Sequence, residues 1–316
     1  MSFDLGPSGA CLRSDAVRLY GRYEVRCAIR TRALHAPWPG VVMDATRAAD
    51  PLTVVSAAWL AVGRDALVTG PSAAVLHGLT ALPATPVHVV VPYDSRQRSR
   101  PGIVVHKGSA LSDDRDERHG LPVVCLERLI SDLACTASPP DALAVIDQAL
   151  AVLKEEDRPT FRRRLRERLQ DRTDPRGTRI GRRLVDLATG LAESPAESWW
   201  LWRVVDLGFP VPDVNPWVRD LGGTGLFRLD LAWLELKIAL EHNGYAAHRG
   251  CEDDDARRIA DLERRGWLVV VVEADDLRSV TRMETELHEA FRRRGVDLGG
   301  RVAGALRPLP HRGPRP

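Results

Sequence analysis

The stretch FRLDLAWLELKIALEHNGYAAH, residues 227–248, gathers the groups best suited to chemistry. Two apolar runs of strand composition flank a turn at Leu234 to Leu236. Asp230 lies inside the first run and Glu241 closes the second. Strands paired across that turn bring the two carboxylates side by side, although eleven positions separate them. A lone carboxylate among apolar neighbours is expensive to bury, so Asp230 calls for a partner. Two carboxylates at neighbouring strand ends form the oxygen-rich arrangement that Mg²⁺ favours, with positions left for water and a phosphate. Without a cation or a proton they repel each other. Asn243 can orient a water through its amide, but it carries no charge and is no base. His248 fits a role at such a site or an exposed, structural one. Upstream, Ser194 and Glu197 have the S-x-x-E spacing of a capping box, which gives Glu197 a structural role of its own. Trp199, Trp200 and Trp202 on the same helix read as core packing rather than base stacking.

A second chemistry belongs to arginine. Between Arg13 and Arg32 there are six arginines against Asp15 and Glu24. Arg22, Arg26 and Arg30 recur every fourth residue and so share one helical face, with Arg32 nearby. A recognition helix entering the major groove of duplex DNA has this character. A winged helix that docks a protein is the alternative. Residues 158–183 hold eleven arginines against three acids. There Arg162, Arg163 and Arg166 are candidate phosphate contacts, and a solvated helix face within a linker is the plainer reading.

The elements that must position these groups follow from pattern. Ser14 is placed to cap a helix to Tyr20, Gly21 makes a tight turn, and a second helix runs from Arg22 with Val25, Ala28 and Ile29 inward. Pro37, Pro39 and Gly40 end it before a short strand, a winged helix-turn-helix order. Helices at Ala57–Leu60 and Pro71–His77 precede strands at Val87–Pro92 and Ile103–His106, then a strand and helix over Leu121–Leu133. Helical periodicity covers 140–190. The last region offers a helix to Leu207, strands at Leu226–Ala232 and Lys237–Glu241, a helix at Asp253–Arg265, the buried strand WLVVVVE and a helix to Arg294. The fold class expected is α+β multidomain. Its parts are a winged helix (1–48), an α+β middle domain (49–142), a basic helical connector (143–192), an α/β domain (193–295) and a disordered tail (296–316).

At 316 residues the chain exceeds one ordinary domain, and 44% hydrophobic content supports real cores. A net charge of +2 says little about partners by itself. The five scattered cysteines lack a C-x-x-C pair, which argues against a zinc site or a disulfide framework. No apolar run approaches a membrane span and the N-terminus lacks the features of a signal peptide, so a cytoplasmic protein with no membrane association is expected.

These residues carry two resemblances. Asp230 followed by Glu241-His242-Asn243, then Gly244 and His248, with Glu197 upstream and LERRGWLVVVVEADDL downstream, resembles the very-short-patch-repair branch of the PD-(D/E)XK endonucleases. The resemblance implies a restriction-endonuclease-like domain in which Asp230, Glu241 and the His242 carbonyl bind Mg²⁺. It further implies that Glu197 positions a water and that His248 acts near the leaving or attacking oxygen. The sequence departs from that pattern at Asn243, where the superfamily has lysine and the mismatch endonucleases histidine. It departs again at Asp253, Asp254 and Asp255, which leave Arg257 and Arg258 as basic partners. SDAVRLYGRYEVRCAIRTRAL with WPGVV, and VTGPSAAVLHGLTALP with VHVVVP, resemble AbiEi-type antitoxins, which implies double-stranded DNA and a cognate toxin as partners. The expected function is therefore DNA binding with Mg²⁺-dependent cleavage in repair or defence. The alternative is a non-cleaving antitoxin-like transcriptional regulator, and a third reading is a protein-docking module.

Overall fold

The computed structural model describes residues 3–109, 112–220, 222–242 and 252–299. It divides into two compact units, residues 1–136 with 159–174, and residues 137–158 with 175–316.

The first unit opens with β1 (Ala10–Leu12), α1 (Arg13–Tyr20), α2 (Arg22–Arg30), β2 (Leu34–His35) and β3 (Val41–Asp44). The strands form an antiparallel sheet in the order β1-β3-β2. Gly21, at φ 90°, makes the turn between the two helices, a conformation that a side chain resists. Ser14 does not cap α1. The N-cap position is Leu12, two residues earlier, and the Arg13 N–H donates to the Gly40 carbonyl at 2.8 Å and needs no side-chain acceptor. Val25 and Ala28 of α2 pack with Leu5, Ala16, Leu34 and Val42.

The chain continues with α3 (Pro51–Val62), β4 (Leu67–Val68), α4 (Gly70–Leu76), β5 (Val87–Val91), β6 (Ile103–Lys107), β7 (Arg115–Arg118), β8 (Leu121–Val124) and α5 (Leu126–Thr136). Asp50 caps α3 by accepting from the Leu52 N–H, with Pro51 in the first turn. This helix is longer than its periodicity suggests because it is apolar nearly all round, so no face stands out. The five strands assemble as β6-β5-β4-β8-β7, with β5–β6 and β4–β8 parallel. Val87, Val89 and Val91 alternate into the core and leave His88 and Val90 on the other face. The chain leaves for the second unit as α6 (Pro139–Val152) and returns as α7 (Arg158–Gln170), whose Phe161, Leu165 and Leu169 are buried.

The second unit adds α8 (Thr178–Leu187), α9 (Pro195–Asp206), β9 (Asp213–Val214), β10 (Trp217–Arg219), β11 (Gly225–Arg228), β12 (Leu231–Trp233), β13 (Ile238–His242), α10 (Glu252–Arg264), β14 (Leu268–Val272) and α11 (Thr281–Arg293) to α6. Its sheet has the order β14-β13-β12-β9, with β13 and β14 parallel, beside a β10–β11 hairpin. The single strand expected over Leu226–Ala232 is two strands. β11 pairs with β10 and β12 pairs with β13, and Leu229 and Asp230 make the change between them. Backbone bonds from Leu229 to Pro216 and from Asn215 to Asp230 fix that change. Trp200 is fully buried, and Trp233 is buried with its indole donating to the Pro210 carbonyl at 2.8 Å. Among the described residues no helix is long and apolar enough to cross a membrane.

Candidate functional site

The β12–β13 register pairs Leu231 with Leu240, so the next pair outward is Asp230 opposite Glu241. Directly opposed residues point to one face of a sheet, and these two carboxylates meet there. The Asp230 N–H donates to Glu241 Oε1 at 3.2 Å, and the His242 N–H donates to Asp230 Oδ2 at 2.7 Å. Glu241 is 6% exposed. Burial, and then the charge of Asp230, push its carboxyl up to about 7, against the pull of Arg258. Burial also raises the Asp230 carboxyl. The His242 N–H opposes that rise, and the charge of Glu197 adds to it. Arg258 on α10 supplies the compensating cation: its Nη1 lies 2.6 Å from Glu241 Oε2, and its Nη2 donates to the Arg228 carbonyl at 2.5 Å.

Glu197 is buried, and hydrogen bonds from its own neighbourhood use both its oxygens. Oε1 accepts from the Ser194 hydroxyl at 2.8 Å, and Oε2 accepts from the Glu193 N–H at 2.8 Å and from Asn215 Nδ2 at 2.5 Å. Ser194 Oγ accepts from the Glu197 N–H at 3.3 Å. This is a capping box whose return arm reaches one residue further back than the sequence pattern implies. Asn215, distant in sequence, carries no local signal that would have marked it. Half-buried His242 has its ring 6.3 Å from that of Trp200. Asn243 and His248 lie outside the described residues.

Arg22, Arg26 and Arg30 are exposed along α2, opposite the face that Val25 and Ala28 bury, and Arg32 follows exposed at φ 60°. Tyr23 on the same helix is also exposed. The downstream arginine run divides. Arg164 pairs with Glu127 at 3.1 Å, Arg168 with the buried Asp114 at 2.8 Å, and Arg172 with Asp132, while Arg128 bridges Asp114 and Asp132. These ion pairs hold α7 and the residues after it to the first unit. Arg163 is exposed and pairs with Glu167 one turn on, and Arg162 and Arg166 also have partners. Sequence reading did not anticipate the acidic half of this network, whose members are scattered along the chain.

Comparison with known proteins bears on the middle of the chain. Two proteins of Mycobacterium tuberculosis are similar to it: Uncharacterized protein MT2308 of strain CDC 1551 / Oshkosh and Uncharacterized protein Rv2248 of strain ATCC 25618 / H37Rv. Each is 26% identical over 261 residues, covering 81% of this chain and 92% of the relative. The expected antitoxin likeness rests on a family match, and the residues that carry it run from just before β4 to the end of α8: residues 66–187 match the AbiEi antitoxin C-terminal domain.

Proposed function

We propose that this chain is a DNA-binding regulator of the antitoxin kind, which reads duplex DNA with α2 and carries a nuclease-like carboxylate pair that does not cut. The observation that carries the reading is the exposed row of Arg22, Arg26 and Arg30 on a helix whose opposite face is locked into a small core. A rigid helix with one cationic face suits the major groove, and Arg32, exposed just beyond α2, adds a further cation. The AbiEi match at residues 66–187 supports a regulator and, with it, a toxin protein as partner. Arg162, Arg163 and Arg166 are the candidates for added, sequence-independent phosphate contact.

The carboxylate pair, as arranged, fits a divalent cation poorly. Asp230 Oδ2, Glu241 Oε1 and Glu241 Oε2 are each engaged, the last by a guanidinium. Among the described residues, no third His, Cys, Asp or Glu side chain joins Asp230 and Glu241 in a metal-holding group. A Mg²⁺ ion bound through Glu241 Oε2 would compete with Arg258 for that oxygen. The second reading, a Mg²⁺-dependent endonuclease using Glu197, Asn243 and His248, draws on one observation: Asp230 and Glu241 do stand opposite each other on paired strands.

The experiment combines binding with cleavage. Wild-type protein should retard duplex DNA and leave plasmid, mismatched and single-stranded DNA intact in Mg²⁺ or Mn²⁺. Cleavage that Asp230→Ala abolishes would establish the endonuclease instead. Cleavage gained only in Asn243→Lys would mark a disabled nuclease.

A further inference from the structure

We propose that His88 and His106 form a binding site for a borderline divalent transition metal, of the class of Zn²⁺, Ni²⁺ or Cu²⁺, on the face of the five-stranded sheet opposite Val87, Val89 and Val91. The two residues lie on the parallel neighbours β5 and β6. His106 is opposite Val90 and His88 is opposite Val104, so the two imidazoles share a face diagonally. His88 Nδ1 and His106 Nε2 face each other at 3.1 Å, with ring centroids 5.2 Å apart. A metal at the usual Zn–N distance of about 2.0–2.1 Å from both nitrogens would subtend roughly 100° between them, near the tetrahedral value.

The surroundings suit a ligand. Gly70, at φ 56°, packs against His88, and a Cβ there would come within 3.2 Å of His88 Nδ1. The absence of a side chain at that position keeps the nitrogen approachable. Burial pushes both imidazoles below their usual range; the neighbouring His106 lowers His88 further, while Asp132 works against the fall at His106. The neutral imidazole is the form that binds metal. In the hydrogen-bonded pair one ring donates its N–H to the other. Metal binding needs that ring to carry its proton on its opposite nitrogen, which has no hydrogen-bond partner among the described residues, so no proton is lost overall. Asp132 on α5 is the charged group that acts on His106, and it is already paired with Arg128 and Arg172. The site thus has two protein donors, with its other positions open to water or an exchangeable ligand. Mg²⁺ prefers oxygen and does not suit it, which separates this site from the carboxylate pair.

The test is calorimetric titration of the untagged full-length chain, stripped with EDTA, with ZnCl₂, NiCl₂ and MgCl₂ in turn. One equivalent of Zn²⁺ or Ni²⁺ is expected per chain, and none of Mg²⁺ at this pair. His88→Gln and His106→Gln should each weaken binding by about tenfold or more, since each removes half of the protein donors. His35→Gln, an exposed histidine elsewhere, should leave binding unchanged. Circular dichroism of each variant checks the fold, and Cu²⁺ electron paramagnetic resonance should report two nitrogen donors in the wild type. Absence of transition-metal binding, or binding that survives both substitutions, overturns the proposal. Neither outcome bears on DNA binding by α2.

Discussion

Glu241 is a side chain whose protonation couples the stability of the second unit to pH. Its carboxyl is raised to about 7, above the unfolded value near 4.5, so the folded chain holds that proton more tightly than the unfolded one. The favourable contribution is fully present below about pH 4.5 and is lost as pH rises through about 7. Glu241→Gln, which mimics the protonated acid, should therefore match the wild type near pH 5 and exceed it in stability at pH 8. Denaturant midpoints at the two pH values check this, and an equal difference at both would contradict it. Arg258→Met should act in the opposite sense. It leaves the pair without its cation and should cost ~1–3 kcal/mol at pH 8, less at pH 5, because Glu241 can then escape by taking a proton.

At the scale of elements, α6 depends on one buried acid. Asp147 accepts from the Thr189 and Gly190 N–H groups, each at 2.7 Å, and from the Ser198 hydroxyl at 2.7 Å. It thereby ties α6 to the start of α9 and to the loop after α8. Asp147→Ala orphans three buried donors and should destabilise the unit by ~3 kcal/mol or more, measured by urea unfolding. Elements with strong local patterns were legible in the sequence. The inward face of α2, the Ser194–Glu197 start of α9 and the adjacency of Asp230 and Glu241 all rest on short-range spacing. What escaped was set by distant partners. The Arg13 N–H found Gly40, so Ser14 had no capping to do, and Pro216 and Asn215 divided a strand that reads as continuous. The arginine-rich run looked uniform because composition carries no record of Asp114, Glu127 and Asp132, which pair with Arg168, Arg164 and Arg172 on successive turns of α7 and the residues after it.

For the whole molecule, a net charge of +2 conceals a strongly uneven distribution. The cationic face of α2 and the outward arginines of α7 supply positive charge that the acids elsewhere balance in the sum. Binding to duplex DNA should therefore weaken steeply with salt, since each phosphate contact releases counterions. Replacing Arg162, Arg163 and Arg166 with glutamine should weaken binding to every duplex about equally and flatten the salt dependence. A loss confined to one sequence would mean that these residues read bases. The central claim, that α2 is the element that meets DNA, has a direct test in fluorescence anisotropy of a labelled duplex titrated with wild type and with an Arg26→Ala/Arg30→Ala double variant over a series of salt concentrations. Both substitutions lie on an exposed face and spare the Val25–Ala28 core, so the variant should fold. The expected result is steep salt dependence in the wild type, with a weaker affinity and a slope shallower by about 2 in the double variant if both arginines contact phosphate. Salt-independent binding, or an unchanged affinity in the double variant, would contradict the account.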